Sequence, residues 1–160
     1  MKKAFSFYGI ILGSVLLSMV LSFTSGKILA QTENSEVSGG KAVIENSAST
    51  NTCPYTISVL PGGAATYTVC NKTGKGEVSS GLSKRFFEDI KTAQPLENVP
   101  FTPCVKSASF GTTTKVKYKE QTSPDISCPS FDSRVTDLYE DTIKIQQQLG
   151  FSTKRISTST

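Results

Sequence analysis

The chain has 160 residues, 17 of them basic and 13 acidic, with no histidine and no tryptophan. The missing histidine removes Ser-His-Asp and Cys-His catalysis, histidine-ligated metals and the usual pH-switching side chain. The missing tryptophan weakens any sugar-stacking argument, although Phe and Tyr remain.

Met1-Lys2-Lys3 carries two positive charges, and Ala4 to Phe23 then runs for twenty positions without a charge. A basic start, an apolar run and a small residue, Ala30, before a polar stretch read as a secretory signal peptide over residues 1–30. The alternative is an uncleaved N-terminal anchor over residues 4–23, because twenty uncharged residues suffice to cross a bilayer. Ser6, Gly9, Gly13, Ser14, Ser18 and Ser22 dilute the run and favour cleavage, whereas Ile28 is bulkier than the residue usual three places before the cut. No cysteine lies near the end of the run, so a lipoprotein is not expected. Removing Lys2, Lys3 and Lys27 leaves 14 basic residues against 13 acidic, a net charge of +1. Part of the apparent basicity therefore belongs to targeting, and it does not argue for nucleic-acid binding. The expected location is secreted or periplasmic.

Residues 31–52 (QTENSEVSGGKAVIENSASTNT) are rich in Ser, Thr, Asn, Glu and Gly, with only Val43 and Ile44 to bury, and read as a flexible linker. A single folded domain is expected over 53–150, followed by a disordered tail over 151–160. Tyr55–Leu60 and Ala65–Val69 alternate apolar and polar residues on either side of Pro61-Gly62-Gly63, a hairpin signal. Gly76–Ser80 is a candidate third strand. Leu82, Phe86, Ile90 and Ala93 share one helical face, with Ser80 or Ser83 as candidate cap and Pro95 as the stop. Thr113–Glu120 alternates Val116 and Tyr118 against lysines and predicts another strand. Val135, Leu138, Thr142, Ile145 and Leu149 predict a last helix, capped by Asp132 or Ser133 and ended by Gly150. The order implies an α+β fold: a small antiparallel sheet with two helices packed on one face, stapled by disulfides.

In an exported chain, Cys53, Cys70, Cys104 and Cys128 are expected to form disulfides. Of the three pairings, 53–70 with 104–128 is favoured, because Cys53 and Cys70 flank the hairpin. A two-residue turn at Pro61-Gly62 would set these two opposite each other, but proline cannot take the positive φ that a type I′ turn needs there. A three-residue loop with Gly63 left-handed would align Ile57 with Tyr67 and Val59 with Ala65. It would also place the two cysteines on opposite faces, unless a bulge intervenes. The spacings of 17, 34 and 24 contain no close pair, which excludes a Cys-x-x-Cys redox motif and argues against zinc. No metal and no cofactor are expected.

Candidate chemistry is sparse. Asp137, Glu140 and Asp141 cluster at helical spacing and could serve as an acid/base pair or cation site. The simpler reading is a solvated helix face paired with Arg134 and Lys144. Asp125 and Asp132 flank Cys128 and suit turn or capping roles. Ser38-Gly39-Gly40-Lys41 and Lys72-Thr73-Gly74 match two elements of Ser-Lys acyl-transfer enzymes, but the first lies in the linker and no Ser-Asp-Asn exists. Asn71-Lys72-Thr73 is a glycosylation sequon, meaningful only in a eukaryotic secretory pathway. Lys115, Lys117 and Lys119 would form a basic stripe, either a contact for an anionic polymer or acidic partner or a soluble sheet edge.

Cys53-Pro-Tyr-Thr-Ile-Ser-Val through Ala64-Ala-Thr-Tyr resembles a Cys-Pro-Tyr hairpin of exported bacterial domains of unknown function. Cys104-Val-Lys-Ser-Ala-Ser-Phe-Gly-Thr with Ser123-Pro-Asp-Ile-Ser-Cys128-Pro resembles a segment of uncharacterised secreted bacterial proteins, some of them cyanobacterial. The resemblance implies export and a disulfide-bearing fold and brings no activity with it. The expectation is a non-enzymatic domain that binds another protein or an anionic envelope polymer through an exposed loop or the lysine face. The alternatives are a membrane-tethered envelope protein, a protease inhibitor using a loop such as Glu97 to Thr102, and a carboxylate-based hydrolase.

Overall fold

The structure, a computed structural model, describes residues 40–154. The signal peptide or anchor at 1–30, the start of the expected linker and the end of the expected tail lie outside the described residues. The chain runs β1 (Ala42–Asn46), β2 (Tyr55–Val59), β3 (Ala64–Val69), β4 (Lys72–Glu77), α1 (Ser80–Thr92), a 3-10 turn (Leu96–Asn98), β5 (Thr114–Tyr118), β6 (Gln121–Thr122) and α2 (Ser133–Leu149). The six strands form one antiparallel sheet in the order β4-β3-β2-β1-β5-β6. The helices pack against each other over its apolar face, so the α+β architecture with two disulfides is as expected.

The linker expectation fails at Ala42–Asn46, which is the central strand. Ala42 and Ile44 are fully buried, and Ile44 pairs with Ile57 on one side and Val116 on the other. The period-2 alternation is present but is carried by only two buried side chains in a polar context, too short a signal to stand out. The following residues 47–52 are hydrogen-bonded to the loop before β5, so they are not a free spacer either. The tail expectation also fails at its start. Phe151 stacks on Tyr67 at 4.7 Å and meets Tyr55 edge-on at 5.4 Å, and the Cys53 N–H donates to the Thr153 carbonyl at 2.7 Å.

The β2–β3 hairpin uses the three-residue loop. Ile57 faces Tyr67 and Val59 faces Ala65, with Gly63 at φ 93°. A Cβ on Gly63 would stand 2.3 Å from the Val78 carbonyl oxygen, so the position needs glycine for space as well as for φ. The cysteine paradox resolves without a strand bulge. β3 ends at Val69, and Cys70 and Asn71, both at positive φ, form the two-residue turn into β4. Having left the pleat, Cys70 swings to Cys53 with Cα atoms 5.1 Å apart.

β4 starts at Lys72, earlier than the sequence pattern suggested, and its helix-side positions are glycines. A Cβ on Gly74 would lie 2.3 Å from the Tyr67 ring, and one on Gly76 would lie 2.6 Å from Leu149. The large neighbours fill the space that side chains would otherwise occupy.

α1 buries Leu82, Phe86, Phe87 and Ile90 on the sheet. Its cap residue is Ser79 rather than Ser80 or Ser83, and its side chain makes no cap bond. Gln148 of α2 accepts from the Ser79 N–H at 2.9 Å and donates to its hydroxyl at 3.2 Å. Ser83 is buried and donates to the Leu60 and Pro61 carbonyls, tying α1 to the β2–β3 loop. In α2, Asp132 caps by accepting from the Arg134 N–H, and Gly150 closes the helix at φ 67°. Among the described residues, no helix is long and apolar enough to cross a membrane.

Ile44→Ala is expected to cost about 2–5 kcal/mol in denaturant unfolding, where a linker position would cost nothing. Gly74→Ala is expected to cost about 1–3 kcal/mol because Tyr67 must move.

Candidate functional site

Among the described residues five large hydrophobic side chains are exposed, and four of them lie in the two chain segments that the second disulfide joins. Phe101 is 54 % exposed, Val105 103 %, Phe110 66 % and Phe131 111 %; the fifth, Leu60, lies in the β2–β3 loop. Val105 directly follows Cys104, Phe101 precedes it by three residues, and Phe131 follows Cys128 by three. The bridge holds Cα104 and Cα128 at 5.7 Å, with Cys104 exposed and Cys128 buried. Phe110 stands at the far end of the same loop, between the 3-10 turn and β5.

The loop has almost no regular structure yet is firmly tied down. Lys106 Nζ donates to the Thr112 carbonyl at 2.5 Å, to Asp125 Oδ2 at 2.6 Å and to Ser127 Oγ at 2.5 Å. Asp125 Oδ1 accepts from the Thr114 N–H, the Ser127 N–H and the Ser127 hydroxyl. Burial raises the Asp125 carboxyl, but the hydrogen bonds from Lys106, Ser127 and the two backbone amides outweigh it and hold the group below its usual range. A second support comes from residues 47–52. The Thr50 and Asn51 N–H groups donate to the Ala108 and Ser109 carbonyls, and the Ser49 hydroxyl donates to the Ser109 carbonyl at 2.8 Å.

Beside the disulfide, a depression of about 200 Å³ is lined by Ile126, Ser127, Cys128, Pro129, Ser130, Thr136, Tyr139 and Glu140. Burial, and then the nearby Asp125 charge, raise the Tyr139 phenol, so it remains a neutral hydrogen-bond donor at physiological pH.

The lysine stripe is only partly assembled. Lys115 and Lys117 lie on the open face of β5, but Lys117 pairs with Glu45 of β1 at 2.7 Å. Lys119 falls beyond the strand, at φ 55° in the turn to β6, where its Nζ sits 5.5 Å from the Tyr118 ring centroid. One uncompensated lysine is therefore left on that strand face rather than three in a row. Across β2, β3 and β4 the open face is mainly hydroxylic. Thr56, Thr68 and Thr73 are cross-strand neighbours, Ser58 and Thr66 form the next row, and they line a shallow depression of about 420 Å³ with Lys75.

The acidic cluster on α2 divides. Glu140 pairs with Lys144 at 2.9 Å and Asp137 is exposed, as a solvated face requires. Arg134 does not join them; it pairs with Asp132 at 2.6 Å. Asp141 overturns the solvated-face reading, because it is buried against α1 and accepts from Arg85. No grouping of three or more metal-ligating side chains occurs among the described residues. Lys72-Thr73-Gly74 lies on the edge strand β4, and Ser38 lies outside the described residues. The inhibitor-loop expectation shifts along the chain: Leu96 and Val99 are buried, so residues 97–99 are anchored and the protruding segment begins at Pro100.

The exposed hydrophobics had no sequence signature. Phe101, Val105 and Phe110 are spaced by four and five residues in a polar stretch, a pattern that marks neither buried nor exposed positions.

No family model, no curated protein and no solved structure matches this chain.

Lys106→Met leaves the Asp125 carboxylate without its counter-charge and is expected to cost about 2–3 kcal/mol in urea unfolding. It should also open residues 100–113 to limited proteolysis. Since the folded Asp125 carboxyl is lowered, its stabilising contribution stands above the unfolded value of 3.8 and is lost as pH falls through the folded one. The Lys106→Met penalty should therefore shrink below about pH 3.8.

Proposed function

We propose that this chain is an exported, non-enzymatic binding domain that docks on a protein partner through the disulfide-held loop 100–113 and the adjoining Phe131. The observation that carries this reading is the presence of four exposed large hydrophobics in the two chain segments joined by a single disulfide. Exposed apolar side chains so concentrated mark an interaction surface rather than a failure of folding. The ties from Lys106, Asp125 and residues 49–51 favour the same reading, because a loop ordered before contact loses little conformational freedom on binding.

The chemistry of the loop selects the class of partner. Its one charged side chain, Lys106, is turned inward and neutralised by Asp125, leaving phenyl rings, an isopropyl group and hydroxyls outside. Such a surface fits an uncharged apolar pocket on another protein, where aromatic anchors dominate binding energy. It lacks the basic flank that draws a peptide loop to anionic lipid. An anionic polymer bound along β5 is the weaker reading, given the pairing of Lys117 and the displacement of Lys119.

A protease is one partner of this kind: Val105 stands fully exposed between the disulfide and the Lys106 anchor, an arrangement that would present an extended peptide rigidly. A carboxylate hydrolase has less support: of Asp137, Glu140 and Asp141, Glu140 lines a depression described above but is paired with Lys144, and Asp141 is buried against α1. The two disulfides favour an oxidising compartment, in line with the N-terminal segment.

The test is site-specific photo-crosslinking in the native host, with the reactive side chain placed in turn at Val105, Thr68 and Lys115. A discrete protein adduct from position 105, lost when Phe101→Ser and Phe110→Ser are added, is the expected result. Adducts confined to positions 68 or 115, or to lipid alone, would overturn the assignment.

A further inference from the structure

Two carboxylates and one guanidinium meet between α1 and α2. Asp141 is 1 % exposed, and Arg85 donates to its Oδ1 from Nε at 2.8 Å and from a terminal nitrogen as well. The other oxygen, Oδ2, is buried and has no hydrogen-bond donor among the described residues. Asp89 lies one turn beyond Arg85 on α1, within hydrogen-bond reach of Asp141. A buried carboxylate oxygen without a donor bears its full desolvation penalty. An ionised Asp89 would worsen the position, because it has no proton to give and brings a second negative charge to a single guanidinium. A protonated Asp89 resolves it, its hydroxyl donating to Asp141 Oδ2.

We propose that Asp89 is protonated in the folded protein and donates to Asp141 Oδ2, and that this hydrogen bond is a pH-sensitive latch between α1 and α2, closed in mild acid and released as the medium becomes neutral to alkaline. The surrounding charges agree. On α1, Arg85 supplies the positive charge at the pair, while Lys84 is directed to Glu88 at 3.9 Å. On α2, Asp137 adds negative charge toward Asp89, and Glu140 acts on Arg85 while held by Lys144. Beneath the pair, both helices turn apolar residues to the sheet: Phe86 and Ile90 from α1, Leu138 and Ile145 from α2.

Burial pushes the Asp89 carboxyl up, helped by the hydrogen bond to Asp141 and the charges of Asp141 and Asp137, to about 6 from 3.8, with Arg85 pulling the other way. A carboxyl raised on folding stabilises fully below its unfolded value and loses that contribution as pH rises through its folded value. The latch thus weakens between about pH 4 and pH 6 and is open above. Asp125, Asp132 and Glu140 are all lowered on folding, so they titrate on the acid side of this window.

The test compares urea unfolding of the full chain, disulfides intact, with that of Asp89→Asn at pH 5 and pH 8. The asparagine amide can donate to Asp141 Oδ2 at either pH. The wild-type folding constant is expected to fall roughly tenfold more than that of the variant over this interval. NMR titration of the Asp89 side-chain carboxyl carbon in the unaltered protein gives an independent readout, with an expected midpoint well above 4. Parallel pH profiles for the two proteins, or a carboxyl midpoint at about 4, would overturn the proposal.

Discussion

The sheet holds together through β1. The meander β2-β3-β4 and the hairpin β5-β6 come from distant parts of the chain and do not pair with each other; Ala42–Asn46 lies between them and pairs along its full length with both. Each neighbour alone would be a small sheet with an open edge, too small to be stable in water. Ile44 is the point where the two halves meet, between Ile57 and Val116. Assembly of the β5 side therefore requires closure of a segment of about seventy residues, a non-local step of the kind that slows folding. The edges left over are blunted. β6 is two residues long, and β4 exposes Lys72, Lys75 and Glu77 between glycines.

The same stretch of chain also organises the candidate surface. Immediately after β1, Ser47 pairs with Thr113, and residues 49–51 then hydrogen-bond to 108 and 109. Asn46 donates to the Thr112 and Thr114 hydroxyls, joining the strand end to the base of the loop. A segment that places the core thus places the protruding loop too, and the loop inherits its rigidity from the sheet. Lys106 adds a polar centre to this support. Half-buried, with an ammonium group that needs three acceptors, it finds them in Thr112, Asp125 and Ser127, and in doing so fixes the chain on both sides of the Cys104–Cys128 bridge.

Legibility in the sequence follows how local each signal is. The β2–β3 hairpin could be read as a hairpin because Pro61-Gly62-Gly63 interrupts an otherwise unbroken alternation, while the choice between a two- and a three-residue loop stayed open because the cysteines and the apolar face pointed to different registers. α2 was legible for the same reason: cap, apolar stripe and terminal glycine all lie within nineteen residues. β1 was not, because a five-residue strand with two buried side chains in a Ser/Asn/Glu-rich context looks like linker until its partners are known. Lys119 was misplaced because strand alternation does not announce where a turn begins. Asp141 was misread because its partner Arg85 lies 56 residues away on another helix, and no helical spacing rule reaches that far. The exposed phenylalanines were hidden in a different way: composition reports how much apolar surface a chain has, not which part stays outside.

The two disulfides answer different physical problems. Cys53–Cys70 is part of the core; it fastens the chain entering β2 to the β3–β4 turn, in the cluster that also holds Tyr55, Tyr67 and Phe151, where apolar burial already favours the native arrangement. Cys104–Cys128 closes a segment that runs on into β5 and β6, but the stretch before β5 is largely exposed, so burial does little to order that stretch and the bridge must substitute for a core there. Constraining the unfolded chain over that separation is worth about 3 kcal/mol, comparable to what a few buried aliphatic side chains would supply. Covalent closure and the Lys106 centre therefore let phenylalanines stay in solvent on an ordered loop, a combination that hydrophobic packing by itself would not hold.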